Sequence, residues 1–301
     1  MHRRSFLALL PAAGLAARPA AAWTGSARAQ ATPAVWPEHP VRIIVPVAAG
    51  GSQDIVARLL ARHLTESLGQ NVVVENQPGA GSNIGYEHAA RSRPDGYTLL
   101  AGSDSLSINK ALFPRLSFDP VADFAPVARA VRVPQILVVR ADHPARDLDG
   151  FLRLARGGRA AVGTPGNGSL AHLLGEVVQE AAEARWTHVP YRAGRLRGLF
   201  VSSGGRTVAL PAVPTLAEAG FSHAEAVGWH GLVAPASTDP AVVARVNEAT
   251  ARVLARPEVA ERVAALGLEP VDEPPEALGA LIRADAERWE AVVRRARIQP
   301  D

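Results

Sequence analysis

The stretch "PVRIIVPV", Pro40 to Val47, constrains this chain more than any other. It is apolar and largely β-branched with almost no polar alternation, the pattern of a strand covered on both faces. Gly50-Gly51 breaks the run, and Ser52 is then placed to cap a helix carrying Ile55, Val56, Leu59, Leu60 and Leu64 on one face, stopped by Gly69. "NVVVEN" (Asn71–Asn76) supplies a second strand. A second glycine-rich turn, a helix near Ile84 to Ala90 and a third strand, "GYTLLAG" (Gly96–Gly102), come next. This βαβαβ order predicts an α/β fold with a parallel, doubly wound sheet.

A second set of elements opens with "ILVV" (Ile136–Val139). "AAVGTPG" (Ala160–Gly166) reads as strand and turn, Ser169–Ala184 as a helix, and Trp186 to Val189 as another strand. The C-terminal part is helical: Pro240 and Pro257 each stand at a helix start, Gly267 ends the second of these helices, and a last helix carries Leu278, Leu281, Ile282, Trp289 and Val293. At 301 residues and 48% hydrophobic, the chain can bury a sizeable core, best divided between two lobes.

The first residues stand apart. Arg3 and Arg4 precede an apolar run from Phe6 to Leu15, and Ala27-Arg28-Ala29 forms an A-x-A cleavage site, so residues 1–29 are expected to be a signal peptide and Gln30 the mature start. "RRSFL" partly matches a twin-arginine signal, leaving Sec and twin-arginine export both open. The full chain has a net charge of +3, but the leader takes Arg3, Arg4, Arg18 and Arg28 with it; 28 basic and 29 acidic residues remain, a net charge of −1. The mature region shows no basic run interleaved with aromatics, so a nucleic-acid partner is not expected. Without cysteine there is no disulfide, thiolate metal site or lipidated cysteine. A periplasmic location is expected.

Candidate chemistry lies in three glycine-rich strand-to-helix turns: "VAAGGSQD" (Val47–Asp54), "QPGAGSNIG" (Gln77–Gly85) and "GTPGNGS" (Gly163–Ser169). Ligands of open α/β sheets bind at the carboxyl ends of strands. Glycines there expose main-chain N–H groups, and a helix N-terminus favours negative charge. Ser52, Ser82, Asn83, Asn167 and Ser169 can add side-chain hydrogen bonds, so a small carboxylate could be held without a cationic residue. Asp54 either complements the helix dipole or orients the polar tail of a ligand. His188 and Tyr191 flank Pro190 at a strand end, where lining a cleft and simple packing are both open; Tyr191 is counted with the ligand-facing candidates.

Other motifs fit poorly. Gly79, Gly81 and Gly85 approach a dinucleotide fingerprint with Asp104 near the next strand end, but the third glycine is shifted by one. Ser169 lacks the flanking glycines of a nucleophile elbow, having Asn167 and Ala171 instead, and His172 reads as a surface residue rather than a base. The nine histidines show no H-x-x-x-H spacing, so no metal is expected.

Together "WPEHPVRIIVPVAAGGSQDIVARLL", "VVVENQPGAGSNIG", "RPDGYTLLAGS", "GTPGNGSLAHL", "HVPYR" and "ALPAVPTLAEAGF" resemble the Bug family, the extracytoplasmic receptors of tripartite tricarboxylate transporters. The resemblance runs from Trp36 to Asp301. It implies a two-domain, type II periplasmic binding-protein fold with parallel-rich sheets: residues 36–130 as the first part of domain 1, 131–230 as domain 2, and 231–301 returning to domain 1. It implies a solute-binding receptor that closes on a small carboxylate and delivers it to membrane permease subunits, with no catalysis and no cofactor. Carried over, the ligand-binding positions are Ala49, Gly50, Gly51, Ser52 and Asp54; Gly81, Ser82 and Asn83; Ser103; and Gly166, Asn167, Gly168 and Ser169.

Two departures stand out. Ala48-Ala49 replaces a more proline-rich loop. After "HVPYR" the family continues through helix, strand and helix, whereas here Arg192 to Arg195 lead directly into "LRGLFVSS", so roughly 30 residues, a βαβ unit, are missing. Parallel neighbours need a crossover of about a dozen residues or more. The two segments must therefore pair antiparallel, or the second must leave the sheet. The second domain is expected to be truncated and less stable, and ligand affinity weak or absent unless an oligomer fills the gap. The alternative function is an exported protein that no longer transports, either a sensor presenting ligand to a kinase ectodomain or a degenerate receptor.

Overall fold

A strand buried on both faces must have cover on both, and the structure supplies it. The computed structural model describes residues 36–190 and 196–300; the expected signal peptide, Tyr191 and the turn at Arg192 to Arg195 lie outside them. Strands β1 (Val41–Val45), β2 (Val72–Asn76) and β3 (Thr98–Ser103) pair parallel, β1 in the middle, with Ile43 opposite both Val74 and Leu99. Helices α1 (Ser52–Leu68) and α2 (Asn83–Ala90) connect them. Successive residues point to opposite faces. Val41, Ile43 and Val45 accordingly enter one core with α1, while Ile44 enters another with Tyr86 and Leu100.

The sheet does not stay parallel. After α3 (Ser105–Leu112), the long strand β4 (Phe124–Pro134) pairs antiparallel with β9 (Val227–Pro235), and β9 pairs antiparallel with β3. With a two-residue edge strand β10 (Glu269–Pro270), the order is β10-β4-β9-β3-β1-β2. The βαβαβ segment is parallel as its pattern requires, and the mixed character comes from β4 and β9. The sequence pattern announces neither: β4 begins and ends near prolines, and β9 carries two glycines.

The remaining elements form a separate core. Strand β5 (Ile136–Arg140) pairs antiparallel with β8 (Leu196–Val201), and β6 (Ala161–Thr164) pairs parallel with β7 (Thr187–Pro190), as two two-stranded sheets. Thus β7 and β8, which lie either side of residues 191–195, do not pair; the second leaves the sheet of the first. Helices α4 (Leu148–Arg156), also unannounced by the sequence pattern, and α5 (Leu170–Ala181) cover this region. Helices α6 (Pro240–Leu254) and α7 (Pro257–Ala265) start at the two expected prolines, and Gly267 succeeds α7 at φ 72°. The 22-residue α8 (Pro275–Ala296) places Leu278 and Ile282 against the large sheet, and Trp289 and Val293 in the core of the small ones.

Asp54 fixes the first glycine turn. It is buried, accepting at Oδ2 from the Gly50 N–H (2.9 Å) and Arg58 Nε (3.0 Å), and at Oδ1 from Asn76 Nδ2 (2.8 Å). Asn76 also donates to the Val47 carbonyl at 3.0 Å, and Gln53 Nε2 to the Ala101 carbonyl at 2.8 Å. The start of α1 is thereby tied to the ends of β1, β2 and β3. Burial raises the Asp54 carboxyl, but the hydrogen bonds from Arg58, Gly50 and Asn76 outweigh it and hold the group at about 2, against 3.8 ordinarily.

Because this folded-state value lies below the unfolded one, Asp54 stabilises above pH ~4, and that contribution, about 2 kcal/mol, is lost as pH falls toward ~2. Urea titrations across this range should show the loss, and Asp54→Asn should be destabilised near neutrality with a flatter acid limb. Gly231 on β9 lies so close to β4 that an added Cβ would sit 2.3 Å from the Ala128 carbonyl oxygen. Gly231→Ala should cost about 1–3 kcal/mol, read as a lower urea midpoint at unchanged slope.

Candidate functional site

The predicted turns are brought toward one another by β9 and α3. On one face of β9, His230 Nε2 lies 3.0 Å from Ser52 Oγ at the start of α1. Two residues away on the same face, a Cβ at Gly228 would lie 3.2 Å from Leu170, the first residue of α5. The starts of α1 and α5, and hence the first and third turns, therefore meet the same strip of strand. Helix α3 links the second turn to the third: Asn109 Nδ2 donates to the Gly81 carbonyl (2.8 Å) and to Asn83 Oδ1 (2.9 Å), and Leu112 packs against Gly168.

In the first turn, Ala49, Gly50, Gly51 and Ser52 are exposed. The first N–H groups of a helix have no intrahelical acceptor, so those at the start of α1 can serve a ligand. Asp54 faces inward and shapes the turn, with both carboxylate oxygens engaged by Gly50, Arg58 and Asn76. In the second turn the backbone is strained: Ala80 and Ser82 have φ 48° and 78°, a left-handed region that disfavours side chains. Asn83 is buried, and its Nδ2 has no protein partner.

Ser103, at the end of β3 and opposite His230 in the ladder, is buried. Its Oγ lies 2.9 Å from Ser105 Oγ and 3.4 Å from the Tyr86 hydroxyl, which is itself 2.6 Å from Ser105. Burial pushes the Tyr86 phenol up to about 12, so this hydroxyl cluster is uncharged. Burial likewise lowers His230 to about 4, leaving a neutral imidazole near neutral pH, and its Nδ1 has no protein partner. Buried polar atoms are normally hydrogen-bonded. His230 Nδ1 and Asn83 Nδ2 are therefore unused hydrogen-bonding positions beside the predicted turns. Asp104, just beyond Ser103, is pushed up to about 6 by burial and by the charge of Asp285.

The third turn uses many of its donors internally. Gly168 N–H donates to His172 Nδ1 (3.1 Å), Gly166 N–H to Thr164 Oγ1 (3.4 Å), and Ser169 Oγ to the Gly166 carbonyl (2.8 Å). Ser169 also caps α5 by accepting from the His172 N–H, and Asn167 is half-buried beside it. Gly168 has φ +70° and an added Cβ would fall 2.2 Å from Leu112, so both conformation and space call for glycine. His172 is not a surface residue: its side chain is 11% exposed and stacks on His188 at 3.9 Å. His188 Nε2 lies 2.6 Å from Thr164 Oγ1, which places it in the packing beneath the turn.

His230, Tyr86, Ser105 and Asn109 are not evident as site residues from the sequence. Only for His230 is there a usable signal, its placement between glycines in "VGWHGLVAP", and that becomes meaningful once β9 is known to lie beside α1. Among the described residues, no group of three or more His, Asp or Glu is placed to hold a metal ion.

Comparison with known proteins agrees with this architecture. The family model for the tripartite tricarboxylate transporter family receptor matches residues 56–194 and 192–298, two segments that overlap at 192–194. BugT of Bordetella pertussis is 35% identical, the alignment covering 86% of this chain and 90% of BugT. The periplasmic binding protein BugD is 30% identical with TM-score 0.76, covering 88% of this chain and all of BugD. Two proteins of Rhodopseudomonas palustris are similar as well. One, solved with adipate, is 28% identical with TM-score 0.79, covering 88% of this chain and all of its own. The other, MatC with bound malate, is 29% identical with TM-score 0.75, covering 85% and 99%. The α/β fold, the arrangement of the glycine turns and these matches together place the chain in the tripartite tricarboxylate transporter receptor family, whose members are solute-binding proteins and include the Bug proteins.

Proposed function

We propose that this protein is an exported, periplasmic receptor that binds a small carboxylate and delivers it to the permease subunits of a tripartite tricarboxylate transporter, without catalysis. The observation that carries the reading is the strip of β9 where His230 meets Ser52 and Gly228 meets Leu170. It brings the N-termini of α1 and α5 to one place, and main-chain amides with helix dipoles favour an anion there. The two relatives solved with malate and adipate support a carboxylate as the class of ligand.

In this reading Ala49, Gly50, Gly51 and Ser52 form the principal grip. Gly81, Ser82, Asn83, Ser103 and His230 offer polar contacts, and Gly166, Asn167, Gly168 and Ser169 close the opposite side; Tyr191, expected with them, lies outside the described residues. Asp54 positions the first turn. Residues 36–130 with 231–301, and 131–230, act as the two domains of a clamp. A second reading, a sensor or degenerate receptor with weak or no binding, is favoured by the match that breaks at 192–194, where a ligand-facing loop of the second domain would arise.

Calorimetric titration of the mature protein with malate, adipate and a tricarboxylate tests the proposal. Binding is expected to be weak because that loop is missing. A ligand at a hundredfold excess over its Kd should stabilise the fold by about 2.7 kcal/mol, visible as a higher Tm. Ser52→Ala should weaken binding about threefold to tenfold, the effect of losing one neutral hydrogen bond. Absence of heat and of any Tm shift with mono-, di- and tricarboxylates would remove the receptor reading and leave the degenerate one.

A further inference from the structure

Helix α3 turns one face to the second glycine turn. Residues four apart lie on one side of a helix, and Ser105, Asn109 and Phe113, just past the helix end, form such a row. Ser105 Oγ lies 2.6 Å from the Tyr86 hydroxyl of α2, and a Cβ at Gly81 would fall 3.0 Å from Phe113. Between them, Asn109 reaches the turn itself. Its Nδ2 donates to the Gly81 carbonyl at 2.8 Å and to Asn83 Oδ1 at 2.9 Å. The helix is firmly seated: Leu106 and Ile108 are fully buried, and Ser107 Oγ donates to the Ile282 carbonyl of α8 at 3.0 Å. It grips a turn in which Ala80, Gly81 and Ser82 all have positive φ, a run that persists only with outside support.

This geometry fixes which way the Asn83 amide faces. A side-chain amide carries one acceptor oxygen and one donor nitrogen of similar size, so its orientation follows from its partners. A main-chain carbonyl can only accept. The Asn109 atom beside Gly81 is therefore its NH2 group. The same nitrogen adjoins Asn83, whose facing atom must accept and is therefore Oδ1. The Asn83 NH2 group is left on the other side of the amide. Asn83 and Asn109 are only 7% and 3% exposed, and Asn83 Nδ2 has no protein partner. A buried donor without an acceptor is costly. Asn83 shares a face of α2 with Tyr86, whose hydroxyl lies 3.4 Å from Ser103 Oγ, and Ser103 is opposite His230 in the ladder. The unused donor is thereby tied to the strip of β9 where His230 meets Ser52.

We propose that Asn109 is a positioning residue of the carboxylate site. It holds the Asn83 oxygen, so that the NH2 group is the one offered, and that group donates to an oxygen of the bound acid. The inference rests on the receptor reading and adds to it the reason this contact favours an anion. With the amide turned over, Asn83 would present its carbonyl oxygen and repel a carboxylate.

The test uses the full mature chain, isotope-labelled for NMR, with malate, adipate and citrate as probes. On saturation with the best-bound acid, the Asn83 side-chain NH2 signals should move downfield, together with the main-chain amides of Gly51 and Ser52. This measurement needs no variant. In calorimetric titrations, Asn83→Ala should weaken binding about threefold to tenfold. Asn109→Leu should weaken it at least as much, and the double variant should bind no more weakly than Asn109→Leu alone, because Asn109 acts through Asn83. A residue that merely braced the fold would give additive losses. The inference is overturned, with the receptor reading intact, if a bound acid moves the Gly51 and Ser52 amides but leaves the Asn83 NH2 signals in place, or if the two substitutions add. If none of the three acids moves any signal, the receptor reading falls and this inference falls with it.

Discussion

The site depends on the close fit of β9 between its neighbours. Gly231 brings this strand against the Ala128 carbonyl, Trp229 buries its ring in the core beneath the opposite face, and Gly228 leaves room for Asp104 and Leu170. With larger residues at the glycine positions, β9 would stand farther from β4 and from the start of α5. Ser52 and His230 would then not meet in the present geometry. The strand is structural along most of its length, yet its N-terminal residues determine where two helix starts converge.

Those helix starts offer dipoles and neutral hydrogen-bonding groups. Desolvation keeps His230 and Tyr86 neutral, and Asp54 directs its charge inward to Arg58, Asn76 and the Gly50 amide. In the proposed receptor, a carboxylate held by such groups would need no cation, whose burial unpaired in the free protein is costly. The third turn differs from the first. It engages the Gly166 and Gly168 amides within itself, through Thr164 and His172, so it contributes shape as much as donors. The site is consequently less symmetrical than three similar glycine motifs suggest.

The region of small sheets is divided: among the described residues, its four strands form two separate pairs. Its helices still pack, and α8 anchors the region by placing Trp289 and Val293 in its core. Strands β5 and β6, however, carry apolar residues suited to burial on both faces while much of that surface remains open. Among the described residues, local apolar patterning persists on strands that pair along one edge only.

Much of the framework was legible in sequence because its signals are local. The uninterrupted run in β1, the glycine turns, and the prolines opening α6 and α7 each act through backbone conformation or burial within a few residues. The short link after Arg192 was legible too, since a parallel crossover has a minimum length whatever surrounds it. The identities of β4 and β9, the inward role of Asp54, the burial of His172 and the presence of His230 at the site were decided only by tertiary structure. Each arises from contacts between residues far apart in the chain: Ser52 meets His230 across 178 positions, and no local pattern encodes which strand will lie beside a given helix start.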